Sequence, residues 1–255
     1  MENSINTTIK TLFIALIFIG LSSFALKKAI APKEQNGFVV LELFTSQGCS
    51  SCPPADAILE KYAIQNNPNI IPLAFHIDYW DYIGWKDPYS KAEFSERQRN
   101  YAALFKSQNI YTPQLIINGK TQLTGSNESK INTVVNKELA IEKKNQITIK
   151  NATVSKDQLN IEYSITELST QTNINIALVK KKEITNIKRG ENSGLTQTNY
   201  NIVYDFKSNT PKSQFKNSAS FHFKSGWLAD DFMVIVYLQN KNTGEITGAA
   251  KTEIN

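Results

Sequence analysis

From residue 37 onward the chain alternates unbroken apolar runs with stretches whose apolar residues recur at three and four residue intervals. FVVLELF (38–44) and IIPLAFHI (70–77) are apolar at nearly every position, the pattern of strands in a sheet covered on both faces. PPADAILEKYAIQNN (53–67), the amphipathic region 87–107 and NESKINTVVNKELAIEKK (127–144) read as helices, and QLIINGK (114–120) and TQLTG (121–125) as short strands. In the last helix Ile131, Val134, Val135 and Leu139 share one face and Asn127 supplies the cap. The expected order is strand, helix, strand, helix, strand, strand, helix: an α/β unit with a central mixed sheet flanked by helices.

After about residue 145 the texture becomes alternating. ITIKNATV, LNIEYSI, INIALVKK, NIVYDF, SASFHF, FMVIVYLQN and EITGAAKTEI are separated by Asp, Asn, Gly, Ser and Pro clusters. Seven short strands with little helix predict an all-β, sandwich-like C-terminal domain. The expected division is therefore 1–31 for a leader, 37–144 for the α/β unit and 146–255 for the β domain. The lysine run 180–182 is expected at the solvated end or edge of a strand.

The leader carries TLFIALIFIGLSSFAL (11–26), an apolar run of roughly signal-peptide length behind a single Lys10. Small residues at Ser23 and Ala25, or at Ala29 and Ala31, offer cleavage sites. The expectation is export to a periplasmic or extracellular location with no stable membrane span after cleavage. The alternative is an uncleaved N-terminal anchor facing the periplasm.

With 255 residues, 41% of them hydrophobic, the chain can bury a substantial core. Its net charge of +5 is scattered among acidic residues rather than gathered into a face that could follow phosphates, so nucleic acid is not an expected partner. The two cysteines, Cys49 and Cys52, form one C-x-x-C. In an exported chain an oxidised pair can persist. A four-residue loop is a poor staple, worth roughly 2 kcal/mol against roughly 4.7 for a hundred-residue loop, which favours a redox role over a purely structural one. A tetrahedral metal site takes four donors, and only His76 and His222 could join the cysteines, so no metal is expected. The remaining metal reading is a soft ion such as copper(I) on Cys49, Cys52 and His76.

LFTSQGCSSCPPAD places Cys49 at the end of a strand and loop, and Cys52, Pro53 and Pro54 at the opening of a helix. Free amides and the positive end of the helix dipole favour a thiolate there, so Cys49 is the expected attacking sulfur and Cys52 the resolving one. Glu42, within the apolar run, is either a buried proton carrier behind Cys52 or a glutamate that is half exposed or paired with a lysine. His76 and Asp78 are candidates for the shell around the pair, although a lone strand histidine is commonly a satisfied core residue. Tyr79 and Trp80, with Tyr82 and Trp85, crowd the next loop and either cover the disulfide, bind a partner peptide or simply pack. Thr112-Pro113 stands directly before a strand. A proline there invites a cis bond and leaves the Thr112 backbone free to pair with an extended substrate.

F-T-S-Q-G-C-S-S-C-P-P-A-D (44–56), H-x-D-Y-W-D (76–81), Y-T-P-Q (111–114), R-G-E-N-x-G (189–194) and G-x-I-x-G-A (244–249) together resemble the DUF1223 family of exported thioredoxin-like proteins. The strand and helix order matches a minimal thioredoxin core as well. The resemblance implies a thioredoxin fold with an appended β domain, Cys49 and Cys52 as the redox pair, and Pro113 as the cis-proline; it supplies no reaction. Arg189, Glu191 and Asn192, in the polar loop 189–194, either fold against the C-x-x-C face or form a turn held by its own Asn and Gly. The leading expectation is an extracytoplasmic thiol–disulfide oxidoreductase. It would act on protein thiols or disulfides, including a redox partner protein, with no cofactor beyond the Cys49–Cys52 disulfide. The alternative is a non-catalytic binding or adaptor protein whose disulfide is structural.

Overall fold

In the computed structural model, which describes residues 37–142, 146–167 and 169–255, strands β1 (Val39–Thr45) and β2 (Ile70–His76) are buried at every position. They pair in parallel from Val39 beside Ile70 to Thr45 beside His76. The leader expected over 1–31 lies outside the described residues; no described helix is long and apolar enough to cross a membrane.

On the other side of β1 runs β3 (Gln114–Ile117), antiparallel, followed by β4 (Thr121–Thr124) at the edge. Alternate residues of β1 serve two cores. Val39, Leu41 and Leu43 pack with Ile58, Leu59 and Tyr62 of α1 (Pro53–Gln65) and with Ile131, Val135 and Leu139 of α3 (Glu128–Leu139). Val40 and Phe44 face the other way, toward Phe94 and Tyr101 of α2 (Ala92–Leu104). The Asn127 side chain accepts from Lys130 N–H and caps α3.

The seven strands expected after residue 145 are present as β5 (Ile147–Ser155), β6 (Gln158–Ile165), β7 (Thr172–Asn186), β8 (Thr196–Asn209), β9 (Asn217–His222), β10 (Phe232–Asn240) and β11 (Ile246–Glu253). They do not build a sandwich of their own, and this corrects the expectation. Four of them extend the first sheet, giving the order β11-β10-β7-β8-β2-β1-β3-β4, while β5-β6-β9 form a separate three-stranded sheet. The join is parallel, with Ala74 of β2 beside Ile202 of β8 and Asn201 Nδ2 donating to Pro72 O at 2.9 Å. The described residues consequently form one compact unit.

Burial gives the physical reason. β10 is buried at its first seven positions and β7 over six consecutive ones, whereas β6 alternates buried and exposed. Doubly covered strands belong inside a sheet and alternating ones have one wet face. Ile174, Ile176 and Leu178 of β7 and Val234, Val236 and Leu238 of β10 meet the small sheet on one face. Ala177, Val179, Ile235 and Tyr237 join the α2 core on the other.

The lysine run falls where β7 outruns β10, whose first residue Phe232 lies opposite Lys180. Lys180 and Lys181 pair with Glu183 and Glu253. Gly119 and Gly244, both at positive φ, press together so closely that a Cβ on Gly119 would meet Gly244 O at 1.9 Å. That contact locks the β3–β4 turn to the β10–β11 turn.

Candidate functional site

Residues 46–52 leave the end of β1 through two successive tight turns, with Cys49 N–H donating to Ser46 O and Cys52 N–H to Cys49 O, each at 3.2 Å. The second turn feeds α1 directly, with Cys52 at the N-cap and Pro53 and Pro54 in the first turn, where a missing N–H costs nothing. Cys49 and Cys52 form a disulfide with Cα atoms 5.4 Å apart. Both cysteines are 0% exposed, while Ser50 and Ser51 between them face solvent.

The two sulfurs have unequal surroundings. Thr112 Oγ1 donates to Cys49 Sγ at 3.3 Å and Ser51 Oγ stands 3.3 Å from the same sulfur, whereas no hydroxyl among the described residues is hydrogen-bonded to Cys52 Sγ. Thr112 Oγ1 in turn accepts from Trp80 Nε1 at 2.7 Å. The Thr112–Pro113 bond is cis, and Thr112 offers its backbone N–H and C=O with no partner among the described residues. Tyr79 stands one step away. Its hydroxyl donates to Gln98 Oε1 at 3.1 Å, and Gln98 Nε2 donates to Tyr111 O at 2.7 Å. Burial pushes the Tyr79 phenol up to about 12, so it stays protonated. Asp78 Oδ1 accepts from Ser95 Oγ at the start of α2, and among the described residues it has no hydrogen bond to either cysteine.

A clamp holds the cysteine loop from the far side of the molecule. Asn192 Nδ2 donates to both Gln47 O and Cys49 O at 2.9 Å, and Glu191 Oε2 accepts Ser50 N–H at 3.1 Å. Loop 189–194 therefore lies against the C-x-x-C. Glu191 is pulled below the usual carboxylate range by its bonds to Ser50. Arg189 is exposed and bonds to nothing among the described residues. Gln47 is buried and fully engaged, its amide donating to Asn199 Oδ1 and its carbonyl accepting from Trp85 Nε1. Gly48 fits beneath the aromatic loop, where a Cβ would meet Trp80 Cβ and Ile83 Cδ1 at 3.3 Å. Asn192 belongs to the polar loop singled out from the sequence, whereas Gln47 and Asn199 were not singled out. Their role depends on β8 lying beside β2, and no local pattern announces that pairing.

Behind Cys52 lies a second group, of which the sequence singled out only His76. Asp56 sits one turn along α1, its N–H donating to Cys52 O at 3.1 Å. Asp56 Oδ2 accepts from Thr45 Oγ1 at 3.2 Å and Gln197 Nε2 at 2.7 Å, and Asp56 Oδ1 has no partner. His76, 0% exposed, shares a 2.7 Å bond with Asp87 Oδ2 through Nδ1, while its Nε2 is unpartnered. Asp87 Oδ2 also takes Gln47 N–H at 2.8 Å and so reaches back to the cysteine loop. Burial lifts the Asp56 carboxyl to about 7 against the pull of His76. For His76 burial acts downward, but Asp87, then Asp56 and Asp81, outweigh it and the ring is raised. Burial acts upward on Asp87, yet His76 and two backbone amides hold it below the usual range. The available signal was C-P-P-A-D itself, which puts Asp56 four residues after Cys52 on the same helix face.

Glu42 is buried, but its partners are elsewhere. It accepts from Arg97 Nε and Nη2 at 2.9 and 2.7 Å, from Tyr237 OH at 2.6 Å, and from Tyr101 OH. The expected lysine or half-exposed position is thus replaced by an arginine beneath four aromatic rings. The carboxylate points to the α2 face with Val40 and Phe44, away from the α1 face that carries Asp56. A cavity of about 700 Å³ opens on that same α2 side, lined by Glu96, Arg97, Tyr101, Phe206 and Gln239. None of the cysteine-loop residues lines it.

Comparison with proteins of known structure finds the same fold elsewhere. A crystal structure of a protein from Agrobacterium tumefaciens is 24% identical, with a TM-score of 0.66 over 88% of this chain and 96% of that one. HBP35 of Porphyromonas gingivalis is 14% identical, with a TM-score of 0.57 over 86% of this chain and 76% of that one. No curated protein matches the chain. Residues 40–239, which contain the cysteine pair, the aromatic loop, Thr112–Pro113 and loop 189–194, match a family described as a protein of unknown function, and the chain belongs to that family, DUF1223.

Proposed function

We propose that this chain is an exported thiol–disulfide oxidoreductase that exchanges disulfides with protein partners through Cys49 and Cys52. The observation that carries the reading is the asymmetry of the two sulfurs. Cys49 has two hydroxyls at 3.3 Å and stands beside the N-terminus of α1, so a thiolate on Cys49 receives hydrogen bonds that one on Cys52 does not. Residues 37–142 also run in the order of a thioredoxin fold, β1-α1-β2-α2-β3-β4-α3, with the disulfide between β1 and α1. The free Thr112 backbone beside Cys49 would pair with an extended partner segment, and Tyr79 and Trp80 would frame it. A persistent disulfide fits an oxidising compartment and supports export.

In the forward direction the Cys49 thiolate attacks a partner disulfide, one partner sulfur leaves, and Cys52 then displaces the other. The partner gains two electrons and the C-x-x-C pair loses them.

A second reading has its own observation. Both cysteines are 0% exposed and the cysteine loop is clamped by Asn192, which suits a non-catalytic binding protein with a structural disulfide. Titration of the pair against glutathione and dithiothreitol separates the two. A reduction potential between about −120 and −270 mV is expected for exchange, and a value below about −300 mV would overturn it in favour of the structural bridge.

A further inference from the structure

We propose that Asp56, backed by His76 and Asp87, accepts the proton of the Cys52 thiol when Cys52 resolves a mixed disulfide at Cys49, and returns it when the reaction runs backward. The inference rests on the exchange reading and assigns the proton site that reading needs.

Cys52 is fully enclosed, so its proton has no direct route to water. Asp56 is four residues further along α1, which puts it on the same face, with Cβ atoms about 5–6 Å apart. Glu42 cannot serve, because it is tied to Arg97, Tyr101 and Tyr237 on the opposite face of β1.

Buried polar atoms without partners are few in folded proteins and each needs an explanation. Among the described residues five such side-chain atoms occur, and four belong to this one group: Asp56 Oδ1, His76 Nε2, Gln197 Oε1 and Asn199 Nδ2. Two are an acid oxygen and an imidazole nitrogen close enough to perturb each other electrostatically. An acid titrating about 7 can take or give a proton near neutral pH with little driving force wasted in either direction. The charged groups facing it are His76 on β2 and Asp87 in the following loop, with Asp81 beside His76; Thr45 and Gln197 contribute neutral hydrogen bonds. His76 is a positioning residue, oriented by its bond to Asp87 Oδ2.

The Cys52 S–H bond breaks and its proton passes to Asp56. The Cys52 thiolate forms the Cys49–Cys52 bond, the Cys49–partner S–S bond breaks, and the partner sulfur leaves as a thiolate with the electron pair.

Rapid-quench kinetics on the reduced chain with oxidised glutathione resolve the two events, formation of the glutathione mixed disulfide at Cys49 and its resolution by Cys52. For wild type the resolution rate should show an inflection near pH 7. Asp56→Asn, which keeps the size and two hydrogen-bonding atoms, should slow resolution at least tenfold at pH 7, abolish the inflection and leave mixed-disulfide formation within about twofold. Equal resolution rates and pH profiles in the two proteins would overturn the proposal while leaving exchange intact. A wild-type chain inert to oxidised glutathione would instead sink the exchange reading on which the proposal stands. If Asp56→Asn does not fold, the wild-type profile decides: a resolution rate that climbs in proportion to hydroxide through pH 7 excludes a proton acceptor titrating there.

Discussion

Arg97→Met is the perturbation whose consequence can be worked furthest from the structure. The Arg97 guanidinium donates twice to Glu42 Oε1 and once each to Tyr101 OH and Gln239 Oε1, and lies 4.8–5.7 Å from the rings of Phe75, Tyr101, Phe206 and Tyr237. Methionine keeps the apolar stem and removes the charge, leaving the fully buried Glu42 carboxylate with only two tyrosine hydroxyls. Breaking a buried pair from one side costs about 3–5 kcal/mol. In a unit of this size 1 kcal/mol moves Tm by about 2–4 °C, so the expected drop is roughly 6–20 °C.

Glu42→Gln should cost less, about 1–3 kcal/mol, because Arg97 retains 12% exposure toward the adjoining cavity and its stacking on the rings. The double variant should be more stable than the sum of the two losses implies, by at least about 2 kcal/mol, since each single change strands a charge that the double change removes. Urea unfolding of the oxidised proteins, followed by tryptophan fluorescence, measures all three. The same variants should leave the reduction potential of the cysteine pair where it is. An Arg97→Met protein within about 1 kcal/mol of wild type, or strict additivity in the double variant, would refute the claim that Glu42 is an ion-pair anchor.

Three further expectations follow from the site. Asn192→Ala removes two buried hydrogen bonds to the cysteine loop and should cost about 1–3 kcal/mol; it should also speed reduction of the disulfide by dithiothreitol, and an unchanged rate would show that the clamp does not limit access. Thr112→Val takes away a hydroxyl from Cys49 Sγ and should move the pH dependence of iodoacetamide alkylation of Cys49 in the reduced protein to higher pH; a profile that does not move would contradict the proposed asymmetry. Asp56 binds its proton more tightly folded than unfolded, so its contribution to stability is complete below about pH 4 and is lost as pH rises through about 7, by at most about 4 kcal/mol. Urea midpoints at pH 5 and 8 should therefore differ less for Asp56→Asn than for wild type, and equal differences would remove the basis for a near-neutral acid at that position.

The sequence by itself determined the local elements and the position of the disulfide. Unbroken apolar runs, three-and-four spacing and the proline pair after Cys52 are short-range signals, and they placed β1, α1, β2 and the cysteine turn because each element's period is written within ten or fifteen residues. The seven later strands were equally legible. Their assignment to sheets was not, because strand pairing is a contact between residues far apart in sequence: Ala74 beside Ile202 joins segments more than a hundred residues apart that share no local pattern. The available hint was that the β7 and β10 cores are apolar without alternation, which calls for cover on both faces. Only the tertiary structure decided where the charged residues belong. A buried glutamate in a strand looks alike from the sequence whether it serves a thiol or an arginine, and it was α2 and β10 meeting over β1 that gave Glu42 to Arg97. The same long-range join carried Gln197 and Asn199 on β8 and Asn192 in its preceding loop to the cysteines, and so made Asp56 the acid behind Cys52.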